Sequence, residues 1–353
     1  IDYFDPNTKY PQNFRLALGA DQRLPLGIVA SADFLYTRDV NGWYTTDENL
    51  NVVGTDSDGR VLYGTFGAKG FSATPSRIDK TNLNQAVKVF NKDGGHVTSG
   101  TLQLQKAFAR RYTVSVAYTY SRSMDRMSLT SSQAFSNLQF APLDGDIQNR
   151  AVRPSAFDRP HKLTVSGNAA LPYGFGVGVI YVGQSGTPYT WTVSGDVNGD
   201  GMSNDLAFIP KDLSQISLQD AKQWDALNNF INSQECLRAA RGSFVQRGAC
   251  RNAWQDFVDA RVSWTSPKFK GGQHFEAQWD IFNVLNLLNS NWGHFNQVTG
   301  FETAPSAFLK AVGYDTAKQR PMYTFASPPT INATLYSPTA SRWRMQFGGR
   351  YIF

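Results

Sequence analysis

The sequence predicts an all-β chain, an antiparallel transmembrane β-barrel of the outer-membrane type. Two observations carry that reading. Apolar and polar residues alternate with a period of two over nine separate segments, as in strands that present one face to an apolar medium. The connections between those segments are short and long by turns. Composition agrees: 24 Phe, 15 Tyr, 8 Trp and 30 Gly among 353 residues favour strands and turns over helices. The most continuous apolar run, Phe175 to Gly183, is about half of what a membrane-spanning helix requires.

The segments follow in order. Phe14, Leu16, Leu18 and Ala20 alternate with Arg15, Ala17, Gly19 and Asp21, and Ala30, Ala32, Phe34 and Tyr36 with Ser31 and Asp33. Leu102 and Leu104 alternate with Thr101, Gln103 and Gln105 in a long stretch from Val87 to Ala107, where Asp93-Gly94-Gly95 could form a hairpin turn. Val114, Val116, Tyr118 and Tyr120 are set against Thr113, Ser115, Thr119 and Ser121. Leu163, Val165, Ala169 and Leu171 follow, then Phe175, Val177, Val179 and Tyr181 with Gly on much of the opposite face. Val258 to Trp264, Phe275 to Ile281, and Trp343 to Phe353 complete the nine.

Alternation alone fits a soluble sandwich, apolar face inward, as well as a barrel, apolar face toward lipid. The connections decide between them. Pro25-Leu26-Gly27, Phe108 to Arg111, Pro172-Tyr173-Gly174 and Pro267 to Gln273 are short. Asp39 to Ala86, Ser123 to Pro160, Pro188 to Asp256 and Val284 to Arg342 are long, whereas compact domains rarely hold loops beyond about 15 residues. Short periplasmic turns and long extracellular loops are the barrel arrangement. It puts Phe353 in the periplasm and, with nine strands, Ile1 outside the cell. Bacterial barrels have even strand numbers, so the expectation is that N-terminal strands, and any plug with them, are missing from this sequence.

Charge limits the partners. Lys and Arg total 34 against 28 Asp and Glu, a net charge of +6, yet no basic run exceeds Arg110-Arg111. Nucleic-acid binding needs a clustered patch, so no nucleic-acid partner is expected.

Several segments resemble a known family. They are Pro11-Gln12-Asn13-Phe14 leading to Leu24-Pro25-Leu26-Gly27; Ala117-Tyr118-Thr119-Tyr120-Ser121; Asp158-Arg159-Pro160-His161 opening a strand that ends in Leu171-Pro172-Tyr173-Gly174; and Ser185-Gly186-Thr187-Pro188-Tyr189-Thr190 before Asp196-Val197-Asn198-Gly199-Asp200-Gly201. Arg251-Asn252-Ala253-Trp254 and Asp280-Ile281-Phe282-Asn283-Val284-Leu285-Asn286 before Asn291-Trp292-Gly293 complete the series. In this order they resemble the C-terminal barrel region of the Oar-like TonB-dependent receptors over nearly all of residues 1–353. The resemblance implies roughly nine C-terminal strands of a larger, about 22-stranded barrel. It implies a plug, an N-terminal domain and a TonB box elsewhere, none of them in this sequence. The closing Gly349-Arg350-Tyr351-Ile352-Phe353 resembles the signal read by the barrel assembly machinery, with Gly349, Tyr351 and Phe353 as its marks. Gly348 stands where that signal usually has a polar residue.

Chemistry-bearing residues are few. Asp196, Asn198, Asp200 and Gly201 match the start of a calcium loop, alternate oxygens facing one hard cation, with Asn204 and Asp205 as further donors. Position twelve is Ala207, so the bidentate Glu is absent; the other reading is a polar turn held by Asx hydrogen bonds. Cys236 and Cys250 are expected to close a disulfide in an oxidising compartment, worth roughly 3 kcal/mol; two unpaired thiols are the alternative. Gln219 to Ala239 carries helical spacing (Ala226, Phe230, Leu237), a small helix covering its loop. His96, His161, His274 and His294 have no zinc-like spacing, and no nucleophile elbow or phosphate loop is present, so no enzyme activity is expected. Trp43, Tyr44, Trp191, Trp254, Trp292 and Trp343 read as an aromatic girdle at the membrane surface, or as stacking platforms in the loops.

The expected function is ligand uptake across the outer membrane of a Gram-negative bacterium. Loops capture the ligand, and TonB supplies energy through the missing N-terminal part. Outer-membrane lipid, lipopolysaccharide and the assembly machinery are the expected partners. A structural or adhesion barrel, its loops gripping other proteins, is the rival; a passive porin or outer-membrane enzyme is a third.

Overall fold

A computed structural model of the chain describes residues 1–67, 70–109, 111–298, 306–325, 335–336 and 338–353. Nine strands form one antiparallel sheet in which each pairs with the next in sequence, and a tenth, the two-residue strand Arg153–Pro154, joins it off that path. The nine are β1 (Gln12–Arg23), β2 (Ile28–Val40), β3 (His96–Phe108), β4 (Tyr112–Asp125), β5 (His161–Ala170), β6 (Phe175–Gln184), β7 (Gln255–Thr265), β8 (His274–Phe282) and β9 (Arg344–Ile352). All nine expected segments are there. Among the described residues, β1 and β9 are each paired along one edge, and the sheet does not close.

Register puts the apolar residues of every strand on one face. Leu18 stands opposite Phe34, Ala32 opposite Leu102, Leu104 opposite Val116 and Val116 opposite Val165. The row continues through Val165–Tyr181, Tyr181–Val258, Val262–Trp279 and Trp279–Phe347. That apolar face is the bare one. Leu102 is 65% exposed and Phe347 75%. Along β4 the residues Tyr112, Val114, Val116, Tyr118 and Tyr120 are exposed, while the intervening Thr113, Ser115, Ala117 and Thr119 are half-buried. A sheet built for water would cover its apolar face; this one offers it to an apolar medium.

The opposite face is tied by polar side chains across neighbouring strands. Thr101 and Thr119 share a hydrogen bond of 2.9 Å, Gln103 Nε2 donates to Ser115 Oγ at 3.0 Å, and Arg261 Nε donates to Asp280 Oδ1 at 2.5 Å.

Two short turns use one local solution. In Leu24-Pro25-Leu26-Gly27 and in Leu171-Pro172-Tyr173-Gly174 the Pro is followed by two residues at positive φ. The Leu N–H closes the loop, Leu24 to Ile28 O and Leu171 to Phe175 O, both at 2.8 Å. Pro presets the first φ and Gly accepts the second left-handed position. At Gly174 any side chain would run into the Thr265 carbonyl of β7, so that glycine also lets two strands approach.

The stretch from Val87 to Ala107 is not one strand. Val87–Asn91 belongs to a second sheet, between Trp43–Asp47 and the parallel strand Asp2–Phe4, and β3 begins only at His96. Asp93-Gly94-Gly95 makes the break but no hairpin, since the two pieces pair with different partners. Gly94 has φ +142°, and at Gly95 a side chain would occupy the space of the Asp39 carboxylate.

The hydrophobic core lies outside the wall, in the long connections, which fold together as a cap over one end of the sheet. One cluster gathers Trp191, Val193, Leu227, Phe230, Ile231, Phe308 and Phe325 from the third and fourth connections. The other gathers Tyr44, Tyr63, Met127, Leu138, Ile147 and Met202 from the first three. Tyr44 and Trp191, each 1% exposed, are therefore core residues and neither girdle nor platform. Trp191 packs edge-on against both Phe230 and Phe308. The helix Trp224–Ser233 turns Leu227, Phe230 and Ile231 inward; Ala226, a spacing match, faces out. Trp254, Trp292 and Trp343 remain exposed, as a girdle requires.

The opposite polarity of the two faces gives a direct test. Leu102→Lys is expected to destabilise the folded protein in lipid vesicles by about 2–4 kcal/mol, and the adjacent Gln103→Lys, on the polar face, by under about 1 kcal/mol. The urea midpoint of refolded protein measures both.

Candidate functional site

The cap and the polar face of the wall are the two places where the molecule concentrates polar chemistry. In the cap, Asp196 Oδ1 accepts the N–H groups of Gly199 (2.7 Å) and Asp200 (3.1 Å), and Oδ2 that of Gly201 (2.8 Å). Asp200 accepts from Met202 N–H and from Asn198 Nδ2. Asp205 accepts from Val197 N–H and from Arg60 Nη1. Each carboxylate oxygen of the three thus already accepts a hydrogen bond. This is the polar-turn arrangement: Asx bonds hold the chain where Gly199 and Gly201 take positive φ. Among the described residues no three His, Cys, Asp or Glu are grouped to hold a metal ion. The donors do not require calcium.

Arg60 binds this loop to the first connection. Its Nη1 lies 3.0 Å from Asp205 Oδ1 and its Nη2 donates to Leu206 O at 2.7 Å, while its Nε is 3.8 Å from Asp56. The guanidinium also lies over the Phe244 ring at 4.7 Å. Nearby, Arg320 lies 3.4 Å from Asp58. Burial raises the Asp196 carboxyl to about 7, with help from the Asp205 charge. Burial raises Asp58 to about 6 against the opposing pull of Arg320. Asp200 is raised as well, by burial and then by Asp205. Cys236 and Cys250 are joined in a disulfide, Cα atoms 5.2 Å apart, which pins the helix Glu235–Ala239 to the strand Cys250–Arg251 inside the larger core.

The junction of cap and wall is built from the sequence segments that stood out. Asp158, fully buried, accepts Ser123 N–H at 2.7 Å and Arg251 Nη2 at 2.6 Å. Two motifs separated by some ninety residues thus meet in one ion pair. At Gly186 a Cβ would collide with the Asn252 and Ala253 carbonyls, so only glycine lets those chains pass. Asn283, at φ +56°, donates to Gly293 O and Ser341 O, joining the segment after β8 to Asn291-Trp292-Gly293.

The polar face of the wall divides in two. On β3 to β5 it shows hydroxyls and amides, among them Ser99, Thr101, Gln103, Ser115, Thr119, Thr164 and Asn168. On β7 to β9 it carries charge, with Arg261 paired to Asp280 and Arg350 3.8 Å from Glu276. Between them Gly178 leaves a recess beside Asn168 and Arg261. Gly349 and Tyr351 lie in β9, Tyr351 and the terminal Phe353 with exposed rings. Arg60 and Arg247, charged residues isolated in loops, belong to no motif of the sequence. The one available signal was Asp56-Ser57-Asp58-Gly59, which has the same Asp-and-Gly rhythm as 196–201.

A nine-stranded meander, bare and apolar on one face and polar on the other, with a folded cap at one end, defines the wall of an outer-membrane β-barrel. The family model described as "Outer membrane beta barrel domain" matches residues 1–307, and the chain belongs to that family. Its place is accordingly the outer membrane. It is similar in structure to the outer membrane transporter YddB from Escherichia coli, with 15% identity and a TM-score of 0.48, over 98% of this chain and 33% of that one. The chain thus spans about a third of that transporter's length. A comparison with curated proteins finds no match.

The buried acids set a pH dependence. A carboxyl raised above its ordinary 3.8 adds stability that is complete below that value and is lost as pH rises through the folded-state value. The cap is expected to lose on the order of 2 kcal/mol between about pH 4 and pH 7, and Asp196→Asn to flatten the upper part of that slope. The urea midpoint of the near-ultraviolet circular dichroism, taken at several pH values, measures it.

Proposed function

We propose that the chain forms part of the wall and mouth of an uptake transporter, with the cap outside the cell and Phe353 on the periplasmic side. The observation that supports this most is the continuous polar face of the sheet. It runs from under the cap to the short turns and offers a crossing solute hydrogen-bonding groups while the other face meets lipid. The segments matching the Oar-like receptors lead to the finer reading. The open edges of β1 and β9 would be completed by further strands of the same barrel, because unpaired strand edges are not tolerated in hydrocarbon. A plug carried on other parts of the protein would close the lumen and receive the pull of TonB. Gly349, Tyr351 and Phe353 would serve as the assembly signal on β9, whose free edge is available for pairing during insertion.

The test compares cells that make the protein in the presence and absence of TonB, and follows by mass spectrometry which solutes leave the medium. Depletion of a particular solute that needs both the protein and TonB is expected. Depletion that needs the protein but ignores TonB would make it a passive pore. No depletion, with loss of attachment to a partner cell or protein when it is deleted, would make it an adhesion barrel.

A further inference from the structure

We propose that a cleft at the base of the cap, between the second and third long connections, binds a carboxylate carried by a small ligand, with Arg247 as its main partner. The cleft is walled by Phe140, Pro142, Pro188 and Tyr189, with Ser128 and Arg247 among its polar lining. Its volume is about 40 Å³, room for about three water-sized groups. That admits a carboxylate and not a whole ligand, whose apolar remainder would rest at the mouth on Phe140, a side chain 52% exposed.

Arg247 is held for such a task. It is 5% exposed. Its backbone N–H donates to Asp144 Oδ2 at 2.9 Å, and its Nη2 donates to Asp125 O and Asp125 Oδ1. These bonds fix the plane of the guanidinium and use only one of its three nitrogens. Nε is buried without a hydrogen-bond partner. The nearby acids are committed: the other oxygen of Asp125 accepts from Ser128 Oγ, and Asp144 pairs with Arg153. Arg247 is thus already paired with Asp125 at 2.6 Å, and beside that pair its Nε stays buried without an acceptor, which costs stability.

A second buried arginine strengthens the case. Arg150 is 1% exposed, donates only to Leu138 O, at 3.2 Å, and has both Nε and Nη1 buried without partners. It lies close enough to Arg247 for the two charges to repel. Leu138 belongs to the same short helix, Ala134–Phe140, that supplies Phe140. One anion at Arg247 would relieve the repulsion, and a carboxylate suits an arginine better than a neutral acceptor does.

Binding can be read without transport, so the inference stands apart from the uptake reading. The full chain, folded in micelles, is titrated with benzoate and with benzamide, probes that differ in the charge of one small group, and followed by saturation-transfer NMR. Benzoate is expected to bind at least tenfold more tightly than benzamide. Arg247→Gln is expected to abolish that preference. Ala156→Leu, which fills the cleft from its lining, is expected to weaken benzoate at least tenfold. If Arg247→Gln does not fold, Ala156→Leu decides. Equal binding of the two probes, or benzoate binding unchanged in Ala156→Leu, overturns the proposal.

Discussion

A backbone amide inside hydrocarbon must find its hydrogen bond within the protein, and the shape of this molecule follows from that constraint. Strands meet it by pairing with their chain neighbours, which is why the sheet is an unbroken meander from β1 to β9. Turns cannot meet it, so they lie at the two ends. At one end they are cut to the minimum that Pro followed by two left-handed residues allows, as at Leu24 and Leu171. At the other end water can solvate the backbone, and the chain spends its length there. Because the wall has no interior, the core among the described residues lies in those long connections, around Trp191 and Tyr44.

The same division explains what could be read from the sequence. A period of two is local, so every wall strand was legible, and the lengths of the connections gave the topology. The cap was not legible, because its strands have two to five residues for the most part and pair across connections distant in sequence, as Val87–Asn91 does with Trp43–Asp47. An apolar residue in such a piece has no periodic neighbours to mark it. Trp191 and Tyr44 thus resembled surface aromatics when each is only 1% exposed. The disulfide was legible, since both cysteines lie in one connection with a short separation.

The segments that resembled a family turn out to have physical work, and most of it is joinery. Asp158 with Arg251, Gly186 beneath the Asn252 carbonyl, and Asn283 with Gly293 lock the rim to the cap. The Asp196-to-Gly201 loop is held from the side by Arg60. Charges in the cap are thus mostly spent on holding four connections together. Arg150 departs from that use, with both Nε and Nη1 buried without a partner.

The central claim is the direction of the two faces, and cysteine labelling along β4 tests it most directly. Single cysteines would replace Val114, Ser115, Val116, Ala117, Tyr118 and Thr119 in turn, in protein folded in lipid vesicles, and meet a water-soluble thiol reagent or a lipophilic one. The account predicts strict alternation, with 115, 117 and 119 reacting with the water-soluble reagent and 114, 116 and 118 with the lipophilic one. Reversed alternation, or equal labelling of both sets by the water-soluble reagent, would contradict it.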